Sequence, residues 1–202
     1  MKEILIATGN PGKYAEIAEG LRDLPITPVF LRDLGIRESG IEEDGDTFRE
    51  NAYKKAEYYF GKVGMPTLAE DSGVLVEALK GELGLKTRRW GAGEKANDEE
   101  WLRFFMKRME GVNNRRALFV CNVCFFEGAT TSFFEGQTKG VITEDLRAPI
   151  IPGVPLSSCF LPEGGRHVYA ALTAEEKNKI SHRGKAVFKT KLYLKKRLEE
   201  KF

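Results

Sequence analysis

Three short stretches of the sequence concentrate residue types that bind phosphate groups or a hard cation. The first stretch, ATGNPGK (residues 7–13), follows an apolar run and leads directly into a helical pattern. Asn10 is a favourable helix N-cap, and Gly12 lets a ligand approach the backbone. The first free N–H groups and the helix dipole would then face an anion above Thr8 and Gly9. The stretch predicts a phosphate cradle, although a tight strand-to-helix turn explains it equally well.

Two acidic clusters suit a divalent cation such as Mg²⁺. They are EEDGD (residues 42–46) and AEDSG (residues 69–73), and each places carboxylates near a glycine turn. Mg²⁺ prefers oxygen ligands and keeps several of its waters. A solvated turn is the commoner explanation of a run such as EEDGD. The acids of AEDSG lie between apolar runs, where burial would require a partner such as a metal ion or a lysine.

The third stretch, LTAEEKNKISHRGKA (residues 172–186), carries cationic donors far along the chain from the other two. Lys177, His182 and Arg183 are donors suited to phosphate oxygens. A lone histidine is usually structural. A His-Arg pair that follows a capped turn and precedes a glycine favours a ligand role.

Strand and helix patterns alternate between these stretches. Apolar runs predict strands at 3–8, 26–31, immediately before Glu70, 74–79, 117–126 and 130–143, the last two forming a hairpin. Helices are predicted after Asn10, after a Thr47/Glu50 capping box, from Asn97 or Asp98, after a Thr173/Glu176 box and over the last 20 residues. The last helix is expected to turn five apolar residues toward the core, namely Val187, Phe188, Leu192, Leu194 and Leu198. This alternation predicts an α/β fold with a mixed sheet, in a single domain over residues 1–202.

The composition excludes several classes of protein. Of the 202 residues, 42% are hydrophobic and the net charge is +2, which is ordinary for a globular protein and not that of a polycation. The longest apolar stretch falls well short of the roughly 20 residues that span a bilayer, and no secretory signal is evident, so a cytoplasmic location without membrane contact is expected. Cys121 and Cys124 have CxxC spacing but lie in a predicted strand. They and Cys159 are expected to be buried, reduced thiols.

Taken together, five motifs resemble those of the inosine/xanthosine triphosphate pyrophosphatase family. The motifs are ATGNPGK, EEDGDTFRENAYKKA, AEDSG, FFEGQTKGVI and LTAEEKNKISHRGKA, and the resemblance runs from residue 4 to residue 186. It implies an elongated α/β domain, with a mixed β-sheet flanked by helices and two lobes with a nucleotide cleft between them, usually in a homodimer. It also implies Mg²⁺-dependent cleavage of ITP, dITP and XTP between the α- and β-phosphates, which yields the nucleoside monophosphate and pyrophosphate.

The resemblance also assigns roles by position. Substrate contacts would come from Thr8, Gly9, Asn10, Lys13, Lys55, Ser72, Lys177, His182 and Arg183. Glu43 and Asp71 would bind or orient Mg²⁺, with Glu70 nearby, and Asp71 would also be the candidate base for the attacking water. The chemistry is coherent because attack on a polyanion requires its charge to be neutralised, which fixed cations and a metal ion accomplish.

The sequence departs from the family at the segments that read the base. The family has an FGYDP-type stretch with a stacking aromatic, where this chain has Val154-Pro155-Leu156-Ser157-Ser158. A second motif, PGxxSARY, appears as LGLKTRRW (83–90), which keeps Arg89 but exchanges Ser for Thr87 and Tyr for Trp90. Loss of a stacking ring costs roughly 1–3 kcal/mol, about 5- to 150-fold in affinity, unless a ring such as Trp90 or Phe160 replaces it. An altered or relaxed base preference is therefore expected.

Two other functions are compatible with parts of the sequence. One is a degenerate member of the family that binds nucleotides without turnover, although the intact acids, Asp71 above all, argue against it. The other is nucleic-acid binding through the basic C-terminal helix, whose cations are Lys185, Lys189, Lys191, Lys195, Lys196 and Arg197. Such a run is more often a solvated face, and Glu199 and Glu200 dilute its charge, so no nucleic-acid partner is expected.

Overall fold

A computed structural model describes residues 2–37, 40–93 and 96–200, apart from the side chains of residues 88 and 89. Within these residues the chain forms one six-stranded sheet with the order β2-β1-β3-β4-β5-β6. The strands are β1 (Lys2–Ile6), β2 (Ile26–Phe30), β3 (Thr67–Val76), β4 (Arg116–Glu127), β5 (Thr130–Ile142) and β6 (Phe160–Pro162). Strand β1 is parallel to β2 and β3, whereas the remaining pairs are antiparallel. The mixed sheet predicted from the sequence is confirmed.

Helices cover both faces of one half of this sheet. The helices are α1 (Pro11–Leu21), α2 (Phe48–Val63), α3 (Asp98–Arg108), α4 (Ala174–Ile180) and α5 (His182–Glu199). Helices α1 and α5 share a buried apolar cluster with Ile4 and Ile6 of β1, while α2 packs on Leu5. Alternate residues of a strand point to opposite faces, so α2 lies across the sheet from α1 and α5.

The other half of the sheet supports a separate apolar cluster. There the far ends of β3, β4 and β5 pack against α3 and its C-cap, which contribute the buried side chains Trp101, Leu102, Phe105 and Met109. Those four residues recur at helical spacing, and all four face inward as the sequence predicts. The fold therefore has two lobes joined by long strands, as the family resemblance implies.

Side-chain caps begin the helices where the sequence predicts them. Asn97 and Glu100 form a complete capping box on α3, and Thr173 forms one with Glu176 on α4. On α2, Thr47 accepts from the Glu50 N–H at 3.1 Å, but the box is only half formed. The Glu50 carboxylate instead accepts from the N–H of Asp46, at 2.8 Å.

Two expectations are wrong in their local geometry. The AEDSG acids do not flank a turn, because β3 runs unbroken from residue 67 to residue 76 and pairs with β4 throughout. In α5, Val187 and Leu194 are buried, but Phe188 and Leu192 are 59% and 53% exposed. The buried face of α5 runs at helical spacing through Val187, Thr190 and Leu194, so Phe188 and Leu192 fall on its solvent-facing side.

The three cysteines are buried, free thiols, as expected. Cys121 belongs to the apolar cluster under α1 and α5, and Cys124 to the cluster under α2. Their side chains thus lie on opposite faces of the sheet, which excludes a shared disulfide or metal site despite the CxxC spacing. None of the helices in the described parts of the chain has the length and apolarity needed to cross a bilayer.

Candidate active site

A cleft of about 440 Å³ lies between the two lobes and collects the residues that the sequence singled out. Lys13, Asp71 and Arg183, which come from three distant segments, all line it. The other predicted site residues on its wall are Thr8, Asn10, Glu43, Lys55, Ser72, Lys177 and His182. Gly9 belongs to the same loop as Thr8 but does not line the cleft. The three stretches thus converge on a single cavity.

The loop between β1 and α1 uses its polar groups differently from the expectation. The N–H groups of Gly12 and Lys13, predicted to face an anion, donate to Asn10 Oδ1 at 2.9 and 3.1 Å. The Asn10 amide nitrogen donates to the carbonyl of Gly153 at 2.7 Å. The cap satisfies the helix N-terminus internally. The cation of this loop, the Lys13 ammonium, is therefore its principal means of attracting phosphate.

Glu70 is the centre of a buried charge network. Its carboxylate is 1% exposed, forms an ion pair with Lys13 and lies 3.5 Å from Arg183 Nε. Lys55 donates to the backbone carbonyl of Glu70 at 3.2 Å. Burial opposes ionisation of Glu70, but Lys13, Arg183 and Lys55 outweigh it and hold the pKa of its carboxyl well below the usual range. Glu70 thus fixes cations in place from behind the cleft wall.

Asp71 points into the cleft and has a different environment. It is 7% exposed, and its Oδ2 accepts from the Asn51 amide at 3.0 Å. Burial raises the pKa of Asp71, with further contributions from Glu70 and Glu43, against the attraction of Lys55 and Lys13. These neighbouring carboxylates therefore differ in environment, since cations hold Glu70 ionised whereas burial favours a proton on Asp71.

Asn51 is a site residue that the sequence analysis did not identify. Its Oδ1 accepts from the N–H of Gly45 at 2.8 Å, while its amide nitrogen donates to Asp71. Asn51 is buried on α2, one turn before Lys55. It therefore ties the EEDGD loop to the candidate base. A polar residue at a core-facing helical position was the sequence signal for this role.

Glu16 is a second unidentified member of the site. It forms ion pairs with both Lys177 and Arg183, and these cations together lower the pKa of Glu16 to about 2 although burial opposes that change. Lys177 also donates to Ser157 Oγ at 3.1 Å, and Arg183 donates to Ser72 Oγ at 3.1 Å. Glu16 lies one helical turn after Lys13 on α1. The spacing in the sequence shows that Glu16 shares a helical face with Lys13, but it does not show that Glu16 contacts residues of α4 and α5.

His182 is neutral in this setting. Burial and the adjacent Arg183 hold its pKa well below the usual histidine range. Its ring lies 4.8 Å from the ring of Phe119 and stacks at 6.3 Å on Tyr169. An imidazole in this state offers one N–H donor and one acceptor nitrogen, so it can read a hydrogen-bonding edge without contributing charge.

Apolar side chains also line the cleft. They include Leu85, Val154, Pro155 and Leu156. The aromatic side chains among its lining residues are Tyr59, Trp101, Phe119 and Tyr169. Trp101, which the sequence indicated only as a core residue, is thus also one of the rings on the cleft wall, with 2% of its surface exposed.

The rings suggested as substitutes for the missing aromatic lie elsewhere. Phe160 is fully buried behind the cleft, 4.5 Å from Phe119, and Trp90 packs edge-on against Phe104. Neither is a lining residue of the cleft. Thr87, which replaces a serine, accepts from the N–H of Val74 at 3.1 Å and holds the lobe together. The side chain of Arg89 lies outside the described part of the structure.

The donor set for a metal ion is small. Across residues 2–37, 40–93 and 96–200, no three acidic, histidine or cysteine side chains form a group able to hold a metal. Glu43 and Asp71 both line the cleft, and Lys55 interacts with each of them. Two carboxylates, one of which has a raised pKa because it is buried, suit Mg²⁺. This ion is typically bound by one or two carboxylates, by waters and by the phosphates of the substrate.

Comparison with known proteins agrees with this geometry. The profile of the Ham1 family matches residues 4–193. A dITP/XTP pyrophosphatase of Caldanaerobacter subterraneus subsp. tengcongensis is 40% identical over 99% of this chain and 100% of its own length. A dITP/XTP pyrophosphatase of Aquifex aeolicus is 37% identical over 93% of this chain and 94% of its own.

Solved structures lead to the same assignment. A HAM1 protein from Coxiella burnetii superposes with a TM-score of 0.80 at 32% identity, covering 97% of this chain and 100% of that one. The Ham1 protein of Staphylococcus aureus gives 0.79 at 30% identity, with the same coverage. The resemblance identified from the five motifs is confirmed: the chain belongs to the Ham1 family.

Proposed function

We propose that this chain is a nucleoside triphosphate pyrophosphatase that acts, as one domain, on deaminated purine nucleotides such as ITP, dITP and XTP. The observation that carries the proposal is the convergence of Lys13, Asp71 and Arg183 on one cleft that is also lined by apolar side chains. The cations would receive the triphosphate, and the apolar side chains would receive the base. Relatives over nearly the full length of the chain are dITP/XTP pyrophosphatases.

In the proposed reaction, water attacks the α-phosphorus. The bond between this phosphorus and the α–β bridging oxygen breaks, and pyrophosphate leaves with that oxygen. Asp71 accepts the proton of the attacking water, and its hydrogen bond from Asn51 holds the carboxylate in one orientation. Lys13 and Lys55 line the cleft where the negative charge of the triphosphate would lie.

Glu43 and Asp71 would hold a Mg²⁺ ion on this side of the cleft. When bound, the ion neutralises phosphate charge and lowers the pKa of a coordinated water. The support for this site is the pair of carboxylates that share Lys55 as a counter-ion, together with the raised pKa of Asp71. A cation at that position would relieve the unfavourable burial of the Asp71 charge.

The base would be held mainly by contact with Val154, Leu156 and Trp101, with Lys177 and His182 available to its edge. At the position where the FGYDP-type stretch has an aspartate, this chain has Ser157, which places a hydroxyl beside Lys177 in place of a carboxylate. This wall supports an altered or relaxed base preference. Strong hydrogen bonds discriminate between bases far better than apolar contacts do.

The test is pyrophosphate release from ITP, dITP, XTP, dUTP, GTP and ATP, with Mg²⁺ and with a chelator. We expect Mg²⁺-dependent release that is fastest with the deaminated purine nucleotides. The rates with the six substrates should differ less than they would for an enzyme with a strict base preference. Asp71→Asn removes the candidate base, and Asp44→Asn, an exposed acid of the same region that pairs with Lys54, is the matched control. Release that persists in Asp71→Asn would overturn the proposed mechanism.

Binding without turnover is the alternative function. It predicts that ITP binds with normal stoichiometry but that no pyrophosphate appears at any Mg²⁺ concentration. The orientation of Asp71 by Asn51 favours the enzyme, because a nucleotide carrier gains nothing from a buried carboxylate with a raised pKa.

Nucleic acid is not a proposed partner. Most cations of α5 already contact protein groups, as Lys185 and Lys189 do with carbonyls of β5.

We also propose that the chain forms a homodimer and acts in the cytoplasm. A second groove beside β3 and β4 is lined by the exposed Leu75 with Phe48 and Phe133, and also by Arg49 and Glu135. Opposite charges beside an apolar centre suit a self-complementary two-fold contact. Light scattering after gel filtration should give a dimer mass, and Leu75→Glu should give a monomer. The buried free thiols fit a reducing compartment.

A further inference from the structure

The peptide of Gly153 is held from both sides at the edge of the cleft. Its N–H donates to Asp98 Oδ2 at 2.6 Å, and its carbonyl accepts from the Asn10 amide at 2.7 Å. Asp98 is the first residue of α3 in one lobe, while Asn10 caps α1 in the other. This one peptide therefore connects the helices that begin on either side of the cleft.

The contact between the two loops is close. Gly153 has φ of +81°, which only glycine adopts readily, and a Cβ there would collide with the Asn10 side chain. A Cβ on Gly12 would lie 2.8 Å from the carbonyl oxygen of Pro152. Both glycines let the base-end segment rest directly on the loop that carries Lys13. The segment continues as Val154, Pro155, Leu156 and Ser157, all on the cleft wall.

The cap of α3 does not use the Asp98 side chain. Asn97 accepts from the Glu100 N–H, and Glu100 accepts from the Asn97 N–H, which completes the capping box without Asp98. The Asp98 carboxylate does not line the cleft. A charge-assisted hydrogen bond of this length is among the stronger contacts that a loop makes.

We propose that Asp98 is a positioning residue for the nucleotide. By holding the Gly153 peptide against Asn10, Asp98 sets the distance between the wall that receives the base and the cations that receive the phosphates. This proposal rests on the proposed function, since it treats the two ends of the cleft as parts of one nucleotide site. Substrate that reaches both ends would depend on Asp98, whereas a ligand confined to the phosphate end would not.

The test compares Asp98→Ala, Asp98→Asn and Asn97→Ala for binding of ITP and of inorganic tripolyphosphate, measured by calorimetry in Ca²⁺ to prevent turnover. Asp98→Ala should weaken the affinity for ITP about 10- to 100-fold, the usual cost of losing a hydrogen bond to a charged group. The affinity for tripolyphosphate should change less than about twofold. Asp98→Asn keeps an acceptor oxygen and should recover most of the ITP affinity. Asn97→Ala should lower the melting temperature of the protein without separating the two ligands.

Other outcomes would overturn the proposal. Equal weakening of ITP and tripolyphosphate by Asp98→Ala would show a general disturbance of the cleft, and unchanged ITP affinity would show that Gly153 needs no anchor. If Asn97→Ala reproduced the selective loss, the start of α3 and not the Asp98 contact would be responsible. Failure of the proposed function is distinct, because wild-type protein would then bind ITP without releasing pyrophosphate in Mg²⁺.

Discussion

The Lys55 ammonium lies 2.5 Å from Glu43 Oε1, so a candidate phosphate contact and a candidate metal ligand neutralise each other. Lys55 is 4% exposed and lies within the cleft wall, where an unpaired charge would be costly. A divalent cation on Glu43 would displace this ammonium toward the phosphates. The two groups thus neutralise each other, and in the proposed site they would be held in place for Mg²⁺ and substrate.

Glu43→Gln should raise the Mg²⁺ concentration needed for half-maximal pyrophosphate release by about tenfold or more, because one of two carboxylate ligands is lost. The saturating rate should fall less, since Asp71 remains. A Mg²⁺ titration of turnover and of melting temperature measures both effects. Glu42→Gln, at the exposed neighbouring acid, is the matched control and should behave as wild type. An unchanged Mg²⁺ midpoint in Glu43→Gln would exclude Glu43 from the metal site.

Asp71→Asn should reduce kcat by about 10²- to 10⁴-fold while leaving the metal-free protein at least as stable as wild type. Burial raises the pKa of Asp71, so its carboxyl favours folding at low pH and loses that contribution as pH rises through the folded-state pKa. An amide does not ionise, and it still accepts from Asn51. The stability advantage of the variant should therefore grow between pH 4 and pH 8.

Urea unfolding of both proteins at several pH values, without metal, measures that difference. A variant that is less stable than wild type at pH 8 would show that the ionised Asp71 is already well compensated by Lys55 and Lys13. Mg²⁺ should reverse the order, because only wild type gains binding energy from the ion.

Glu16→Gln should destabilise the protein by about 3 kcal/mol, because Lys177 and Arg183 would lose their shared buried counter-ion. The wild-type contribution is present above the unfolded-state pKa and is lost as pH falls toward the folded-state value of about 2. The variant should therefore show a flatter loss of stability in acid. Glu19→Gln, at a surface pair with Arg22, is the control and should change stability little. Similar acid sensitivity in wild type and Glu16→Gln would contradict this account.

Trp101→Leu should weaken the affinity for ITP about 5- to 150-fold, the cost of losing a stacking aromatic ring, while the affinity for inorganic tripolyphosphate stays the same. Leucine keeps much of the buried volume that alanine would remove from the core around α3. Trp101→Phe keeps a ring and should retain most of the affinity. Trp90→Phe, outside the cleft, should be neutral. Equal ITP affinity in all three variants would exclude Trp101 from base contact.

The sequence predicted which residues line the cleft better than it predicted their partners. Short motifs identified Lys13, Asp71 and Arg183, because phosphate and metal chemistry restrict residue type within a few positions. Glu16 and Asn51 were missed because each acts through a partner on a distant element, and Trp101 was missed because it lies within an ordinary helical pattern of core residues. A polar residue at a core-facing position marks Asn51 as unusual, but nothing local identifies its partner.

Helix and strand patterns were reliable, but the orientation of some side chains was not. Phe188 and Leu192 recur at helical spacing like core residues, yet α5 turns them to solvent. The buried stripe of α5 is instead Val187, Thr190 and Leu194, a choice between neighbouring faces that is made only when the helix packs on the sheet. Likewise, the sequence AEDSG predicts the end of a strand, whereas in the structure β3 continues through these residues because it pairs with β4 along its whole length.

The site draws on both the first helix and α5, since Glu16 of α1 holds Lys177 and Arg183 beside the strand that carries Asp71. During synthesis on the ribosome, α1 emerges long before its partners. A growing chain that has not yet released α5 lacks Arg183 and leaves the underside of its sheet uncovered. Nascent polypeptides of this protein should consequently be inert toward the cell's nucleotide pool, and activity should begin only once α5 has docked.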